Sequence, residues 1–339
     1  MANIRDIAKK AGVSVATVSR LINQETSHLV HPETRERLEK IIQKLHYVPN
    51  RFARSLSTQK SNTIGMVTAF STDVVKSPYY EGLIAGIIEG IRPIAYDLKW
   101  ILIRNEDATK YTLQDLMSKH SVDGLIFLTW QLFPKLVHEI ETHKKLPVVL
   151  INDYNPHIRS SIMYSDSKKG VEKVCAYLKS KNIKKVGMMR GPEYVSFDSL
   201  ERYQAFKTYT KKVGILFDPK FSLKCERFEE KAGYDAIKMN AKLFLNPPQL
   251  LFCGNDDLAH GALKAFKELK IKVPQDIKLI GYDDAPRNEY SVPRLSSVKQ
   301  PLETMGRTAV ETLIKLITTK HKQAIQSKFE PELVIRDSS

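Results

Sequence analysis

The stretch AKKAGVSVATVSR, residues 8–20, decides the fold of the N-terminal part of this chain. Residues 4–11 carry apolar side chains at helical spacing, Gly12 permits a tight turn, and Ser14 is a suitable N-cap for a second helix. A helix, a tight turn and a second helix form the helix-turn-helix arrangement, whose second helix enters the major groove of DNA. The sequence therefore predicts a DNA-binding segment here.

The predicted second helix carries side chains suited to nucleic acid on the face that Val13 and Val18 leave outside. Its hydroxyl groups suit phosphate oxygens, and Arg20 is long enough to bond O6 and N7 of a guanine. The alternative is a small helical domain whose basic face is only solvated. The residues that we expect to face DNA are Ser14, Val15, Ala16, Thr17, Ser19 and Arg20.

The charge of the chain fits a polyanionic partner. The 339 residues carry a net charge of +15, and residues 1–60 hold 11 Lys and Arg against 5 Asp and Glu. Three scattered cysteines, none with the spacing of metal ligands, indicate a reduced protein of the cytoplasm. No apolar stretch follows the first residues, and no uncharged apolar run approaches about 18 residues, so we expect neither secretion nor a membrane span.

From Thr63 onward, short apolar runs alternate with helix-length amphipathic segments. This alternation predicts parallel sheets that helices cover on both faces. Eight strands over this length fit either two doubly wound lobes or one closed barrel. The predicted strands are Ile64–Phe70, Trp100–Ile103, Gly124–Leu128, Val148–Ile151, Ile162–Tyr164, Val186–Met189, Leu250–Cys253 and Leu279–Tyr282. The predicted helices lie near 80–95, 168–181, 200–213, 229–244 and 256–269.

Short motifs in the first sixty residues are specific when taken together. They are Asp6-Ile7-Ala8, Ala11-Gly12-Val13-Ser14, Thr17-Val18-Ser19-Arg20, Asn23, Thr34-Arg35, Tyr47-Val48-Pro49-Asn50 and Ala53-Arg54-Ser55-Leu56. This set resembles the LacI/GalR family of bacterial transcription regulators. The resemblance implies that further residues contact DNA, namely Asn23, Thr34, Asn50, Ala53 and Leu56.

The last of these motifs resembles the hinge helix of that family, at about residues 49–57. A helix of this length is not stable alone in water, so we expect it to form only when paired with a second hinge helix in the minor groove. Leu56 matches the residue that the family wedges between base pairs to kink DNA. The alternative is that Leu56 is a linker residue that packs on its own core.

The resemblance continues through the rest of the chain. Matching motifs include Pro78-Tyr79-Tyr80, Val122-Asp123-Gly124-Leu125-Ile126, Gly254-Asn255-Asp256-Asp257 and Gly281-Tyr282-Asp283-Asp284. The family core resembles periplasmic sugar-binding proteins, with two Rossmann-like α/β lobes and the effector between them, which decides against the barrel. We therefore expect an all-α helix-turn-helix domain at 1–60 and an effector-binding and dimerisation core at 61–336. The expected lobes are 61–158 with 287–316, and 159–286 with 317–336.

Polar residues at the ends of predicted strands form the candidate effector site. Ligands of open α/β sheets bind beyond the carboxyl ends of the strands, where Asp283 and Asn255 lie, and Arg202 could add a fork of donors. Aromatic faces could pack on a sugar ring. The alternative for each residue is a structural role, as a loop cap or a surface charge. The resemblance assigns effector contacts to Tyr80, Asn152, Arg202, Phe228, Asn255 and Asp283.

The resemblance implies a sequence-specific transcription repressor that binds a palindromic double-stranded DNA operator as a homodimer. We expect a small effector, a sugar or sugar derivative, to control it, without a cofactor, a metal or a membrane partner. The pairs Asp256-Asp257 and Asp283-Asp284 have no convergent His and the common catalytic motifs are absent, so we expect no enzyme activity. The alternatives are a global regulator whose core binds a protein corepressor and a ligand-binding protein without regulatory DNA binding. The expected location is the cytoplasm, at the nucleoid.

Overall fold

The structure, a computed structural model, describes most of the chain. The described residues are 3–22, 26–47, 60–107, 109–129, 133–142, 146–152, 157–192, 197–319 and 323–339. They form two compact units, residues 1–62 and residues 63–339, each with its own apolar core. Within the described ranges, no helix combines the length and the apolar character that crossing a bilayer requires.

Three helices make up the described part of the N-terminal unit: α1 (Ile4–Ala11), α2 (Val15–Ile22) and α3 (Pro32–Lys44). Asn3 and Asp6 form a capping box that satisfies backbone N–H groups at the start of α1. Gly12 ends α1 with a φ of 65°, a left-handed conformation that glycine adopts without steric cost. The predicted tight turn therefore lies where the sequence requires it.

One small apolar cluster holds these three helices together. Val18 of α2 and Leu38 of α3 are fully buried, and Val13 packs against the cluster from the turn. The small side chains of Ala8 and Ala11 on α1 leave room for α2 to approach. The predicted helix-turn-helix is therefore confirmed, and its apolar side is accounted for.

The first lobe of the core contains a six-stranded sheet. Its strands are β1 (Thr63–Ala69), β2 (Asp97–Ile103), β3 (Gly124–Phe127), β4 (Val148–Ile151), β5 (Ser161–Ser165) and β11 (Gln326–Phe329). They lie in the order β11-β5-β4-β3-β1-β2, with parallel neighbours throughout. Its helices are α4 (Asp73–Lys76), α5 (Pro78–Ile91), α6 (Leu113–His120), α7 (Pro134–Thr142) and α12 (Leu302–Thr318).

The second lobe repeats this plan. Its strands are β6 (Lys185–Arg190), β7 (Leu216–Lys224), β8 (Leu250–Cys253), β9 (Lys278–Asp283), β10 (Ser296–Lys299) and β12 (Glu332–Val334). The order is β12-β10-β9-β8-β6-β7, and only β12 is antiparallel to its neighbour. Its helices are α8 (Ser167–Ser180), α9 (Phe197–Lys212), α10 (Glu230–Met239) and α11 (Asp256–Glu268). Short 3-10 segments occupy Ser27–Leu29, Asn105–Asp107, Ala241–Leu245 and Pro286–Glu289.

Helices α5 and α12 approach each other closely on one face of the first lobe. A Cβ atom on Gly86 would come within 2.0 Å of the Glu303 carbonyl oxygen, and one on Gly306 within 2.3 Å of the Leu83 carbonyl oxygen. Both positions therefore require glycine, because no side chain fits between the helices. This contact returns a late segment of the chain to the first lobe.

The two-lobed α/β core with parallel sheets confirms the predicted fold class and excludes the closed barrel. All eight predicted strands are present, because each contains a short apolar run that packs in one of the two sheets. Most of these runs are buried, whereas β2 lies at the edge of its sheet and is partly exposed. Among the described helices and strands of the core, those that the periodicity did not reveal are β7, β10, β11, β12, α4, α6, α7 and α12. Most of these missed strands are short or rich in polar residues, which hides them from a hydropathy pattern.

The expected limits of the two lobes are wrong at three places. Residues 161–165 belong to the first sheet, because β5 pairs with β4 at Leu150 and Ile162. Residues 296–299 belong to the second sheet, because β10 pairs with β9. Residues 326–329 return to the first sheet, where β11 pairs with β5. The chain therefore passes between the lobes later than predicted each time.

Candidate functional site

Helix α2 presents one face to solvent and buries the opposite face. Val18 is fully buried, whereas Ser14, Ser19 and Arg20 are exposed and Thr17 is half-buried. Val15 and Ala16, which begin the helix, are exposed as well. The predicted DNA-facing residues therefore lie on the solvent side of α2, apart from the partly covered Thr17.

The start of α2 is fixed by a local cap. The Ser14 hydroxyl oxygen accepts a hydrogen bond from the Thr17 backbone amide at 3.1 Å and lies 2.9 Å from the Thr17 hydroxyl. These bonds hold the first turn of α2 in place and engage both hydroxyl groups. The Arg20 side chain is exposed toward the end of α2.

Of the other predicted DNA contacts, Thr34 is the one within the described residues. Thr34 is half-buried in the first turn of α3, next to Arg35, whose guanidinium donates to the Ser27 carbonyl at 2.6 Å. The predicted contacts Asn23, Asn50, Ala53 and Leu56 lie outside the described residues. The predicted hinge helix, at about residues 49–57, lies outside them as well.

Arg202 organises the candidate effector site at the carboxyl edge of the second sheet. Its side chain is buried, and it donates to the Gly254 carbonyl at 2.9 Å and to the Asp198 carbonyl at 3.2 Å. The guanidinium lies 4.4 Å from the centre of the Tyr282 ring and 5.7 Å from that of Phe228. The predicted residues Arg202 and Phe228 are therefore in contact.

Asp283 lies at the end of β9 in a strained backbone conformation. Its φ of 110° falls in the left-handed region, which L-residues rarely adopt. One carboxylate oxygen accepts a hydrogen bond from the Gln300 side-chain amide at 2.7 Å. Burial and the neighbouring Asp256 carboxylate raise the pKa of Asp283 well above its ordinary value, and the Arg202 guanidinium opposes this rise.

Asn255 and Asn152 have structural partners. The Asn255 side chain caps α11 by accepting from the Leu258 amide at 2.9 Å, which is the structural alternative, a cap, given for it above. Asn152, at the end of β4 with a φ of 62°, donates from its side-chain amide to an Asp198 carboxylate oxygen at 2.5 Å. Because Asn152 belongs to the first lobe and Asp198 to the second, this bond joins the two lobes.

Tyr80 lies on the first lobe. It is half-buried near the start of α5, where it packs on the apolar core and meets the Tyr79 ring edge-to-face at 5.0 Å. Asp198 and Gln300 are site residues that sequence reasoning missed, and both are buried. Their polar side chains carry no motif of their own, although Asp198 lies one helical turn before Arg202 on α9.

The acidic pair Asp256-Asp257 serves structure. Asp256 accepts three hydrogen bonds, from the Ser297 hydroxyl, the Ala285 amide and the Asn288 side chain. Asp257 pairs with the Arg287 guanidinium. In the part of the chain that the structure describes, no group of three or more His, Cys, Asp or Glu residues could hold a metal ion.

A helix-turn-helix unit joined to a two-lobed core with polar residues at its strand ends defines a class, the ligand-responsive DNA-binding regulators. A family model described as "Bacterial regulatory proteins, lacI family" matches residues 3–50. A second, described as "Periplasmic binding protein-like domain", matches residues 175–339. The first match lies within the N-terminal unit, and the second lies within the two-lobed core.

Whole-chain relatives extend this result. The HTH-type transcriptional repressor PurR of Haemophilus influenzae (strain PittEE) is 30% identical over 100% of this chain and 98% of its own length. PurR of Pectobacterium atrosepticum is 29% identical, with 100% and 97% covered. The chain belongs to the lacI family of bacterial regulatory proteins. It is a DNA-binding transcriptional repressor with a small-molecule effector and not an enzyme, as predicted.

Solved structures show the same fold. The lac repressor dimer bound to operator and the anti-inducer ONPF has a TM-score of 0.84 at 23% identity, with 99% of this chain and 98% of that chain covered. The CelR–cellobiose complex has a TM-score of 0.72 at 23% identity, with both chains covered completely. These likenesses concern the architecture, since the identities are low.

The raised pKa of Asp283 predicts a pH-dependent stability. Above about pH 4 the unfolded chain loses this proton while the folded chain keeps it, so folding binds a proton and stability falls as pH rises toward the folded pKa. Asp283→Asn cannot ionise. The free energy of unfolding in urea should therefore fall with pH in wild type but not, through this group, in the variant. The difference, variant minus wild type, should increase between pH 5 and pH 8 by up to about 1.4 kcal/mol per pH unit.

The matched control is Asp235→Asn, which removes an exposed, ion-paired carboxylate on α10. The groups that act on Asp283 are Asp256, Asp257, Arg202 and Gln300, and all are unchanged in both variants. An identical difference between Asp283→Asn and wild type at both pH values would contradict the raised pKa.

Proposed function

We propose that this repressor binds a palindromic operator as a homodimer and is released or recruited by a sugar or sugar derivative. The observation that carries the proposal is the joint presence of an exposed α2 face ending in Arg20 and a buried Arg202–Asp283 site in the core. The first can read bases, and the second can bind a polyhydroxylated ligand. Its place of action would be the cytoplasm, at the DNA.

The two-fold symmetry of the proposed dimer follows from the small size of one helix-turn-helix unit. One helix-turn-helix contacts too few bases to select a single site among many, and a second copy on an inverted half-site supplies the missing affinity. The exposed side chains at the start of α2, from Val15 to Arg20, would lie in the major groove.

The core exposes apolar side chains that a second copy could cover. On the first lobe, Trp100 and Leu102 are 40% and 48% exposed on β2, an edge strand of the sheet. On the second lobe, Tyr290 and Val292 are 85% and 96% exposed. Adjacent exposed apolar residues on a protein surface commonly mark an interaction site. We assign these two patches to the homodimer.

The chemistry of the effector site favours a neutral polyol. Asp283 offers carboxyl oxygens to ligand hydroxyls, and Arg202 offers guanidinium donors to ligand oxygens. The half-buried Phe228 ring supplies an apolar face beside Arg202. A sugar ring carries all three complementary features, namely hydroxyl donors, oxygen acceptors and an apolar face.

Effector binding would act on DNA through the angle between the lobes. The Asn152–Asp198 bond crosses from one lobe to the other at this site, so a ligand that replaces or strengthens it changes lobe closure. Lobe closure would alter the arrangement of the two copies in the dimer and with it the spacing of their two helix-turn-helix units. A coupling free energy of about 1–3 kcal/mol between the two sites is typical of such regulators.

The first test of operator reading is Arg20→Ala. We expect a loss of about 1–3 kcal/mol in binding to an operator selected from random DNA by the wild type, together with relaxed preference at one base position. Arg37→Ala, which removes an exposed charge from α3, is the control and should leave base preference intact. A fall of equal size for operator and random DNA would show that Arg20 contacts only phosphate.

The second test concerns the effector. A thermal-shift screen of full-length protein against sugars, sugar phosphates and nucleobases should give the largest shift with a sugar. Asp283→Ala should then weaken that sugar by one or two orders of magnitude, because the buried ligand hydroxyl that Asp283 bonds is left without a partner, at a cost of about 1–3 kcal/mol. Operator affinity without sugar should be unchanged. Equal dissociation constants by calorimetry would show that Asp283 is only a structural strand cap, and a nucleobase as the best compound would refute the sugar assignment.

The third test concerns the dimer. Introducing Leu102→Glu together with Val292→Glu places a charge in each patch and should reduce the sedimenting mass of the full chain to that of a monomer. Leu245→Glu is the control, since Leu245 is 87% exposed outside both patches. A dimer that survives the double substitution would mean that other surfaces hold the two copies together.

A further inference from the structure

The turn after β9 places two consecutive residues in the left-handed region. Asp283 has a φ of 110° and Asp284 a φ of 59°. Such a pair of non-glycine residues is unfavourable by itself and persists only where surrounding contacts enforce it. The Asp283 side chain belongs to the candidate effector site, so whatever enforces the turn also sets the direction of that carboxylate.

Two contacts hold the turn from the interior of the lobe. The Ala285 amide donates to an Asp256 carboxylate oxygen at 2.7 Å, and the Asp284 amide donates to the Ser297 hydroxyl oxygen at 3.1 Å. Both bonds engage the backbone. Neither restrains the Asp284 side chain, which is only 8% exposed and would be a buried, uncompensated charge without a cation.

The cation comes from the C-terminal segment of the chain. Arg336 donates from Nη1 to the Asp284 carboxylate at 2.6 Å and to the Leu295 carbonyl at 2.9 Å. Its Nε donates to a Glu289 carboxylate oxygen at 2.9 Å, and its backbone amide donates to the Ser296 hydroxyl oxygen. The Arg336 side chain is 13% exposed, so this is a shielded ion pair with a fixed guanidinium.

The end of the chain is itself anchored. Ser338 is fully buried, and its hydroxyl donates to the Leu279 carbonyl at 2.7 Å while accepting from the Ser296 amide at 2.9 Å. The Ser338 carbonyl accepts from the Leu279 amide. These bonds place the segment against β9 and β10, so Arg336 reaches the turn from a rigid support.

We propose that Arg336 is a positioning residue that holds the Asp283–Asp284 turn and thereby directs the Asp283 carboxylate at the effector. This role rests on the proposed function of Asp283. The guanidinium fork suits it because it bonds Asp284, Glu289 and a main-chain carbonyl at once, which a lysine ammonium on a flexible stem cannot do with the same geometry.

The chain offers a matched control for this ion pair. Arg294 also anchors the C-terminal segment, with two bonds to the Asp337 carboxylate at 2.8 and 3.0 Å and one to Glu289. It is more exposed than Arg336 and does not contact the Asp283–Asp284 turn. A purely structural role of the C-terminal anchor predicts similar effects for both arginines, whereas positioning predicts an effect for Arg336 alone.

The experiment compares full-length wild type, Arg336→Met, Arg336→Lys and Arg294→Met. Hydrogen exchange of the Asp284 and Ala285 amides reports the turn without any ligand. Calorimetry with D-ribose, lactose and cellobiose as probes reports the site. We expect Arg336→Met to raise exchange at these amides at least tenfold and to weaken the bound sugar at least tenfold, with Arg336→Lys intermediate. Arg294→Met and the operator affinity of every variant without sugar should match wild type.

The outcomes separate this inference from the proposed function. Unchanged exchange in Arg336→Met, equal effects in Arg294→Met, or faster exchange with undiminished sugar affinity would each overturn it. If no probe binds wild type, the sugar assignment fails while exchange still decides whether Arg336 holds the turn. Should Arg336→Met not fold, Arg336→Gln combined with Asp284→Asn restores a neutral hydrogen-bonded pair and should recover slow exchange.

Discussion

The buried carboxylate of Asp256 is the constraint on which the carboxyl edge of the second lobe depends. It accepts hydrogen bonds from the Ser297 hydroxyl at 2.6 Å, the Ala285 amide at 2.7 Å and the Asn288 side chain at 2.8 Å. One side chain at the start of α11 therefore joins β10, the turn after β9 and the following 3-10 segment. Burial raises the pKa of Asp256 to about 7, and the three donors counteract this by favouring the ionised form. Gly281 makes room for it, since a Cβ there would lie 2.1 Å from the carboxylate.

Because Asp256 takes the donors at this edge, Asp283 is left with one hydrogen bond from Gln300 and the charge of Arg202. The Arg202 guanidinium is already committed to a main-chain carbonyl and to the face of the Tyr282 ring. Even with the proton that Asp283 retains, the two neighbouring carboxyl groups and the engaged guanidinium leave the site with more acceptors than donors. A ligand that brings hydroxyl donors relieves this excess, whereas an added negative charge at Asp283 would increase the repulsion. This argument favours a neutral sugar over a sugar phosphate at that position.

The helix-turn-helix of the N-terminal unit could be predicted from the sequence because the residues that determine it are close together in the chain. Gly12 and Ser14 act on residues only a few positions away. The apolar strands of the core can also be predicted locally, because each contains a short run of apolar residues. Strand β11 reads Gln-Ser-Lys-Phe and has no apolar run, so only its pairing with β5 reveals it. Asp198 and Arg336 sit in polar segments, and their partners lie 46 and 52 residues away in the chain. No local pattern encodes such contacts, which is why both residues emerged only from the folded structure.

In the described part of the core, the chain passes between the lobes near residues 166, 300 and 330. The first and third crossings are bonded to each other, by the Asp166 amide to the Phe329 carbonyl at 2.8 Å and by an ion pair of Lys328 with Asp166 at 2.6 Å. The second crossing contains Gln300, which donates to Asp283. A ligand bound to Asp283 thus acts on a residue in one of the segments that must bend when the lobes close. Under the proposed function, effector binding and lobe closure would be coupled through this Gln300–Asp283 bond as well as through the Asn152–Asp198 bond that joins the lobes.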